Sequence, residues 1–310
     1  MKKSILMLIA IVAMVMISCE EKSNMPSPGE NALIPDSVPV IVDPDPSPDP
    51  EGAILPEGTI NVHEACAIAR KLHGSEVTEQ AYYIKGWVTG FNRSDSFDED
   101  FPKYGNDFVY ITATAPDAPI ASKRQFLAYR LLGPYGAKYK DKEAIKVGDF
   151  IVIRCYITNY GGTIESSGVC YQVGSTNEHF GEMFADQLAI PGWVEPQAED
   201  EYSASEAEAL AHTLPDRATS DDPIKIRGVV AYVSDTVLNT QYGNITFNIA
   251  DGSTYVNCYQ TFYKTESGKF KKLNQVAVGD TVLVEGVVQN YGGICEPYRA
   301  VLKESSNPNF

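Results

Sequence analysis

The sequence predicts a mainly β protein built from two copies of one unit, each a short amphipathic helix followed by five strands. Three observations carry this. The stretch NYGG occurs at Asn159–Gly162 and again at Asn290–Gly293. Each copy lies ten residues beyond a Val-Gly-Asp turn (147–149 and 278–280). The flanking sequence also repeats, at an offset that shrinks from 142 to 131 residues along the chain, so the first copy has the longer loops. The Tyr-, Gly- and Val-rich composition suits strands.

Before the repeats comes a leader. Lys2 and Lys3 precede an apolar run of 13 residues, Ile5–Ile17, and then Ser18 and Cys19. This is the anatomy of a secretory signal over residues 1–19, and the run is too short to cross a bilayer comfortably. MISC (Met16–Cys19) resembles a bacterial lipobox. That resemblance implies lipidation at Cys19; an ordinary signal peptide is the alternative. The acidic CEEKSN that follows resembles the surface-export signals of Bacteroidetes lipoproteins, which implies a surface-exposed outer-membrane lipoprotein of the cell envelope. Residues 20–57 hold nine acids and one Lys, and nine of the residues 26–56 are Pro. Such a segment cannot bury a core and is expected to be a disordered, extended spacer. At roughly 3.1 Å per residue it reaches on the order of 100 Å.

The two units are expected over residues 58–196 and 197–310. Each opens with a helix: Asn61–Leu72 and Ser203–Leu214 align without a gap. Asn61 and Ser203 are N-caps, and Glu64 and Glu206 stand three residues later, the spacing of a capping box. Ala65, Ile68, Ala69 and Leu72 recur as Ala207, Leu210, Ala211 and Leu214, all on one helical face. The first strands, Tyr83–Val88 and Lys225–Val230, carry Gly86 and Gly228 in mid-strand, where glycine marks a bend or a close approach. Tyr104–Ile111 matches Tyr242–Ile249, and the third strands run around Phe126–Tyr129 and Val256–Tyr259. Val-Gly-Asp turns the chain into the fourth strand. NYGG is the hairpin to the fifth, with Asn and Gly expected to supply its positive φ angles.

Five strands, the first bent to serve both ends of a small barrel, resemble an OB-fold. The markers KGWV, VGD and NYGG in the first half, and RGVV, ADG, VGD and NYGG in the second, make the chain similar to a tandem OB-fold lipoprotein of Bacteroidetes type, with barrels of the nucleic-acid-binding kind. A generic β-sandwich is the rival architecture.

No catalytic set, cofactor motif or metal site is legible. His63, His73, His179 and His212 are far apart and lack metal-ligand spacing. A Ser-His-Asp set meets only in the fold, and no nucleophile-elbow pattern announces one. The acidic stretch Arg93–Asp107 lacks EF-hand spacing and reads as a solvated loop. Beyond Cys19, five cysteines remain, an odd number: Cys66, Cys155, Cys170, Cys258 and Cys295. Symmetric pairing about the first hairpin puts Cys155 opposite Ser166, so buried thiols are expected.

OB-folds bind polymers across their second and third strands and the adjoining loops. Strand alternation points Phe108, Tyr110, Leu127 and Tyr129 outward in the first unit. In the second, Thr246, Asn248, Asn257 and Tyr259 take those places. Tyr160 and Tyr291 stand at the edge. The first unit is therefore expected to stack flat ligands better. The formal charge of −16 is concentrated outside the barrels: residues 82–173 and 224–304 each carry a net +1. The expected function is non-enzymatic binding of an extended ligand, single-stranded nucleic acid ahead of glycan. Docking to a protein of a surface assembly is a further alternative, with the membrane reached through the lipid.

Overall fold

The computed structural model describes residues 43–310, apart from 191–195 and residue 253. The signal, Cys19 and the spacer up to residue 42 lie outside the described residues. In chain order the first half contains β1 (Ile60–Asn61), α1 (Val62–Ala69), β2 (Tyr82–Phe91), α2 (Phe97–Tyr104), β3 (Asp107–Thr112), β4 (Gln125–Leu131), β5 (Phe150–Tyr160) and β6 (Thr163–Ser175). The short helices α3 (Glu178–Met183) and α4 (Ala185–Leu188) follow. The second half contains β7 (Glu201–Tyr202), α5 (Ala204–His212), β8 (Thr219–Val233), β9 (Ile245–Ala250), β10 (Tyr255–Tyr263), β11 (Thr281–Tyr291) and β12 (Ile294–Ser305).

Both helices start as their sequences require. The Asn61 side chain accepts from the Glu64 N–H while Glu64 accepts from the Asn61 N–H, and Ser203 and Glu206 do the same. Two orphan donors are satisfied at each N-terminus. The repeated alanines Ala65, Ala69, Ala207 and Ala211 are buried against the barrels, so the expected helix faces are the packed ones.

Each set of five long strands closes on itself. The first runs β2-β3-β4-β6-β5, with β5 pairing back to β2; the second runs β8-β9-β10-β12-β11, with β11 pairing back to β8. Only the third and fifth strands of each barrel pair in parallel. This strand order makes the chain a tandem of two five-stranded OB-fold barrels, each preceded by its helix. A Cβ on Gly86 or Gly228 would stand 2.8 Å or 2.9 Å from the carbonyl oxygen of Thr112 or Ala250, which is why neither bent first strand carries a side chain there. The hairpin turns differ in detail from expectation. Asn159 and Asn290 stay in their strands, and the positive φ angles fall on Gly161–Gly162 and Gly292–Gly293.

One core surrounds Phe126, Ile84 and Ile111 in the first barrel; a separate one surrounds Phe247, Ile226 and Ile249 in the second. A third cluster joins the barrels: Val169 and Tyr171 of β6 meet Ala231, Ala250 and Tyr255. At the same junction Arg154 of β5 forms a bidentate pair with Glu208 of α5, at 3.0 and 2.7 Å, and also donates to Thr254. Tyr156 stacks on His212, with ring centroids 4.1 Å apart.

Three expectations change. The stretch Arg93–Asp107 is not a loop: its Phe97 and Phe101, at i and i+4 of α2, are buried on the first core. Arg93 holds Asp107 through two nitrogens and lies over the rings of Phe91 and Phe97. Residues 43–57, expected in the spacer, lie along the first barrel. Asp43 accepts from Ser122 Oγ and the Lys123 N–H, and Ser47 exchanges hydrogen bonds with Ala113 and Ala115. The hairpin register puts Cys155 opposite Cys170, not Ser166: the turn is centred on Gly161–Gly162, so Ser166 pairs with Ile157, and Gly168 and Val169 are then extra residues at a bulge in β6.

Candidate ligand-binding grooves

Among the described residues, depressions lie over the third and fifth strands of both barrels. The larger, about 840 Å³, is on the second barrel and is formed by β10, the hairpin end of β11, and β12. Tyr259, Tyr291 and Tyr298 line it and are 48%, 50% and 48% exposed, so their rings are available to a ligand. Polar groups stand between the rings: Asn257, Gln260, Gln289, Glu266, Glu296 and Arg299. Several are already fixed. Asn257 Nδ2 donates to Glu296 Oε2 at 3.0 Å, Gln260 Nε2 donates to Tyr259 Oη at 2.9 Å, and the Arg299 guanidinium lies 5.5 Å from the Tyr298 ring centre. Burial pushes the Glu296 carboxyl above its ordinary pKa.

The smaller groove, about 460 Å³, is on the first barrel, between β4, β5 and β6. It is lined by Tyr129, Arg130, Tyr160 and Glu165, and the second barrel contributes Tyr255, Gly292 and Ile294. Ile294 lines both grooves, so they meet at the second NYGG hairpin. That hairpin crosses β6 backbone to backbone: a Cβ on Gly293 would stand 2.5 Å from Gly168 Cα.

The sequence-predicted residues divide accordingly. Tyr129 and Tyr160 come together in the first groove; Asn257, Tyr259 and Tyr291 come together in the second. Phe108 and Tyr110 are half-buried and line neither groove; Phe108 packs edge-on against Tyr129 with centroids 5.1 Å apart. Leu127 is buried despite its outward position. Asn248 is 4% exposed, and its amide donates to the Tyr135 carbonyl at 2.8 Å, so it faces the other barrel and no ligand. The second unit thus has the larger and more aromatic groove, the reverse of the expectation from the strand faces.

Tyr298 and Arg299 were missed. Their partners in the repeat are Ser167 and Gly168, so comparison of the copies gave no aromatic signal there. The cue that did exist is the pair Tyr-Arg itself, which occurs at 129–130 and again at 298–299. Arg130, Gln260 and Arg299 all have positive φ, at 54°, 49° and 54°. Each is a bulge residue that re-aims the tyrosine before it.

One cluster combines Ser, His and Asp. His63 Nε2 lies 3.0 Å from Ser122 Oγ and 2.7 Å from Asp43 Oδ2, and Ser122 also donates to Asp43. A relay needs the acid on the ring nitrogen opposite the one facing the nucleophile. Here both partners share one nitrogen, and the cluster ties residue 43 to the barrel. Among the described residues no group of three or more His, Cys, Asp or Glu is placed to hold a metal.

No protein-family model matches the chain, and no curated protein does. Among solved structures, it is similar to the Ifi202 HINa domain in complex with a 20-bp double-stranded DNA, at 13% identity and a TM-score of 0.22, covering 75% of this chain and 98% of that one. It is also similar to a murine DNA-binding protein bound to double-stranded DNA, at 10% identity and a TM-score of 0.22, again covering 75% and 98%. The overlays are loose, and the fold stands on the strand order given above.

Proposed function

We propose that the chain is a non-enzymatic binding protein that holds an extended single-stranded nucleic acid across its barrel grooves, chiefly the second. The observation that carries this reading is the convergence of three half-exposed tyrosines on one open groove at the ligand face of an OB-fold. Base–aromatic stacking contributes about 1–3 kcal/mol per base and does not depend on sequence. The electrostatic contribution is small. Arg299 is countered by Glu266 and Glu296, so few phosphates are neutralised and the salt dependence is shallow.

One observation favours a second reading. The Asn257–Glu296 pair beside the tyrosines offers fixed donors and acceptors without net positive charge, which suits the hydroxyls of an oligosaccharide. Anisotropy titrations with a labelled single-stranded oligonucleotide and with neutral oligosaccharides separate the two by which ligand saturates. Tyr298→Ala is expected to weaken oligonucleotide binding by about 1–3 kcal/mol with folding intact. Saturable binding of the oligosaccharide alone would transfer the site to the second reading. Full oligonucleotide affinity in Tyr298→Ala would move the ligand off this face.

The proposal places these barrels outside the cell, on a lipid at Cys19, as a surface-exposed outer-membrane lipoprotein of Bacteroidetes type. Docking to a surface-assembly protein is the alternative use of the same face. Support comes from the basic start, the apolar run and the MISC stretch. In an exporting bacterial host, Cys19→Ser is expected to shift the chain from the membrane fraction to a soluble or mis-sorted pool. Unchanged detergent partitioning would remove the anchor from the proposal.

A further inference from the structure

Of the five described cysteines, only two face each other. Cys155 of β5 and Cys170 of β6 are direct cross-strand partners. The others are occupied or apart: Cys66 Sγ donates to the Gln125 carbonyl, Cys295 Sγ donates to the Ala207 carbonyl, and Cys258 is buried in the second core. Directly opposed residues of an antiparallel pair have Cα atoms about 4.5–5.5 Å apart, inside the range of about 4.4–6.8 Å that a disulfide spans. The bulge at Gly168–Val169 creates this opposition, since regular pairing would set Cys155 against a different residue. Both side chains are buried on the same core and both thiols are free.

We propose that Cys155 and Cys170 are a modification site: a thiol pair closed to a cross-strand disulfide by exchange with a protein or small-molecule disulfide. The thiolate of Cys170 attacks one sulfur of the oxidant and releases the first oxidant thiol, leaving a mixed disulfide. The thiolate of Cys155 then attacks Cys170 Sγ and releases the second oxidant thiol. Two protein thiols are oxidised, one oxidant disulfide is reduced to two thiols, and the two protein protons end on those thiols. The roles of the two cysteines are interchangeable, since both are buried in the finished barrel and are reached readily by the oxidant only before it closes. Burial holds the Cys155 thiol well above its ordinary pKa, so the finished barrel supplies little thiolate. The bridge therefore closes while the hairpin is forming, and the folded, reduced chain exchanges more slowly.

The experiment uses the full chain, reduced and denatured, then refolded in a mixture of oxidised and reduced glutathione. Remaining thiols are alkylated under denaturing conditions. The chain is cleaved after Glu165, which lies between the two cysteines, and peptides are weighed. The expected product is one linked species joining the peptides of Cys155 and Cys170, about 2 Da lighter than their sum, with both labels lost. Cys66, Cys258 and Cys295 keep their labels. In a Cys155→Ala chain, Cys170 is expected to be alkylated and unlinked. Label on both Cys155 and Cys170 after oxidative refolding overturns the proposal, as does a link from either to another cysteine. A parallel sample, folded in reductant and only then given oxidised glutathione, is expected to link more slowly; equal rates would overturn the folding-coupled route.

Discussion

Replacing Arg154 with Met should destabilise the protein by about 3–5 kcal/mol, because it leaves the Glu208 carboxylate buried without its partner. The pair is almost dry: the side chains of Arg154 and Glu208 are 12% and 5% exposed. Arg154 comes from the first barrel and Glu208 from the helix of the second, so the loss falls on the junction. A buried pair need not be worth much in itself, since apolar residues of similar volume can replace it. The double variant Arg154→Met/Glu208→Leu should therefore recover most of the loss, and the cycle gives the coupling directly. Urea unfolding midpoints are the measurement. A loss below about 1 kcal/mol in Arg154→Met would mean that water reaches Glu208 and that the pair behaves like a surface one.

Phe247→Ala should cost about 3–5 kcal/mol through the cavity it leaves in the second core. Phe247 is fully buried on β9 and belongs to a cluster that shares no residue with the one around Phe126. We propose from this that residues 58–196 and 197–310 are separate folding units. Hydrogen exchange on Phe247→Ala should then show the amides of β8–β12 losing protection first, while those of β2–β6 keep theirs. Simultaneous loss from both barrels would show that the Tyr171–Tyr255 junction and the Arg154–Glu208 pair bind them into one cooperative unit.

Much of the fold was legible because its signals are local. Both capping boxes, both mid-strand glycines and both glycine-closed hairpins are written within a few residues of where they act. The two grooves were only partly legible, for reasons that differ from residue to residue. Period-two alternation holds along β3 and β9 but fails at bulges, and the bulges at Arg130, Gln260 and Arg299 are where the exposed tyrosines are aimed. Asn248 was placed on the correct side of its strand, yet that side is covered by Tyr135 of the other barrel. No pattern inside one repeat reports a contact with its twin. Asp43 was hidden by composition: a Pro-rich acidic stretch reads as spacer, and its docking rests on a few individual hydrogen bonds. The acidic stretch before β3 did carry a cue in FDEDF, where Phe97 and Phe101 share a helical face.

The contact between Gly168 and Gly293 gives the duplication a direction. The two NYGG turns began as copies, but they are no longer under the same constraint. Gly162 has open space around its missing side chain, so any residue that tolerates positive φ fits the first turn. Gly293 faces the backbone of its neighbour and must stay bare. The socket is equally one-sided: the first copy offers Gly168, while the matching place in the second copy is Arg299, which carries a side chain where Gly168 has none. A further copy of this unit could not dock on the second as the second docks on the first. Adding one by the same rule would require giving up Arg299, and with it the cation over Tyr298 in the larger groove.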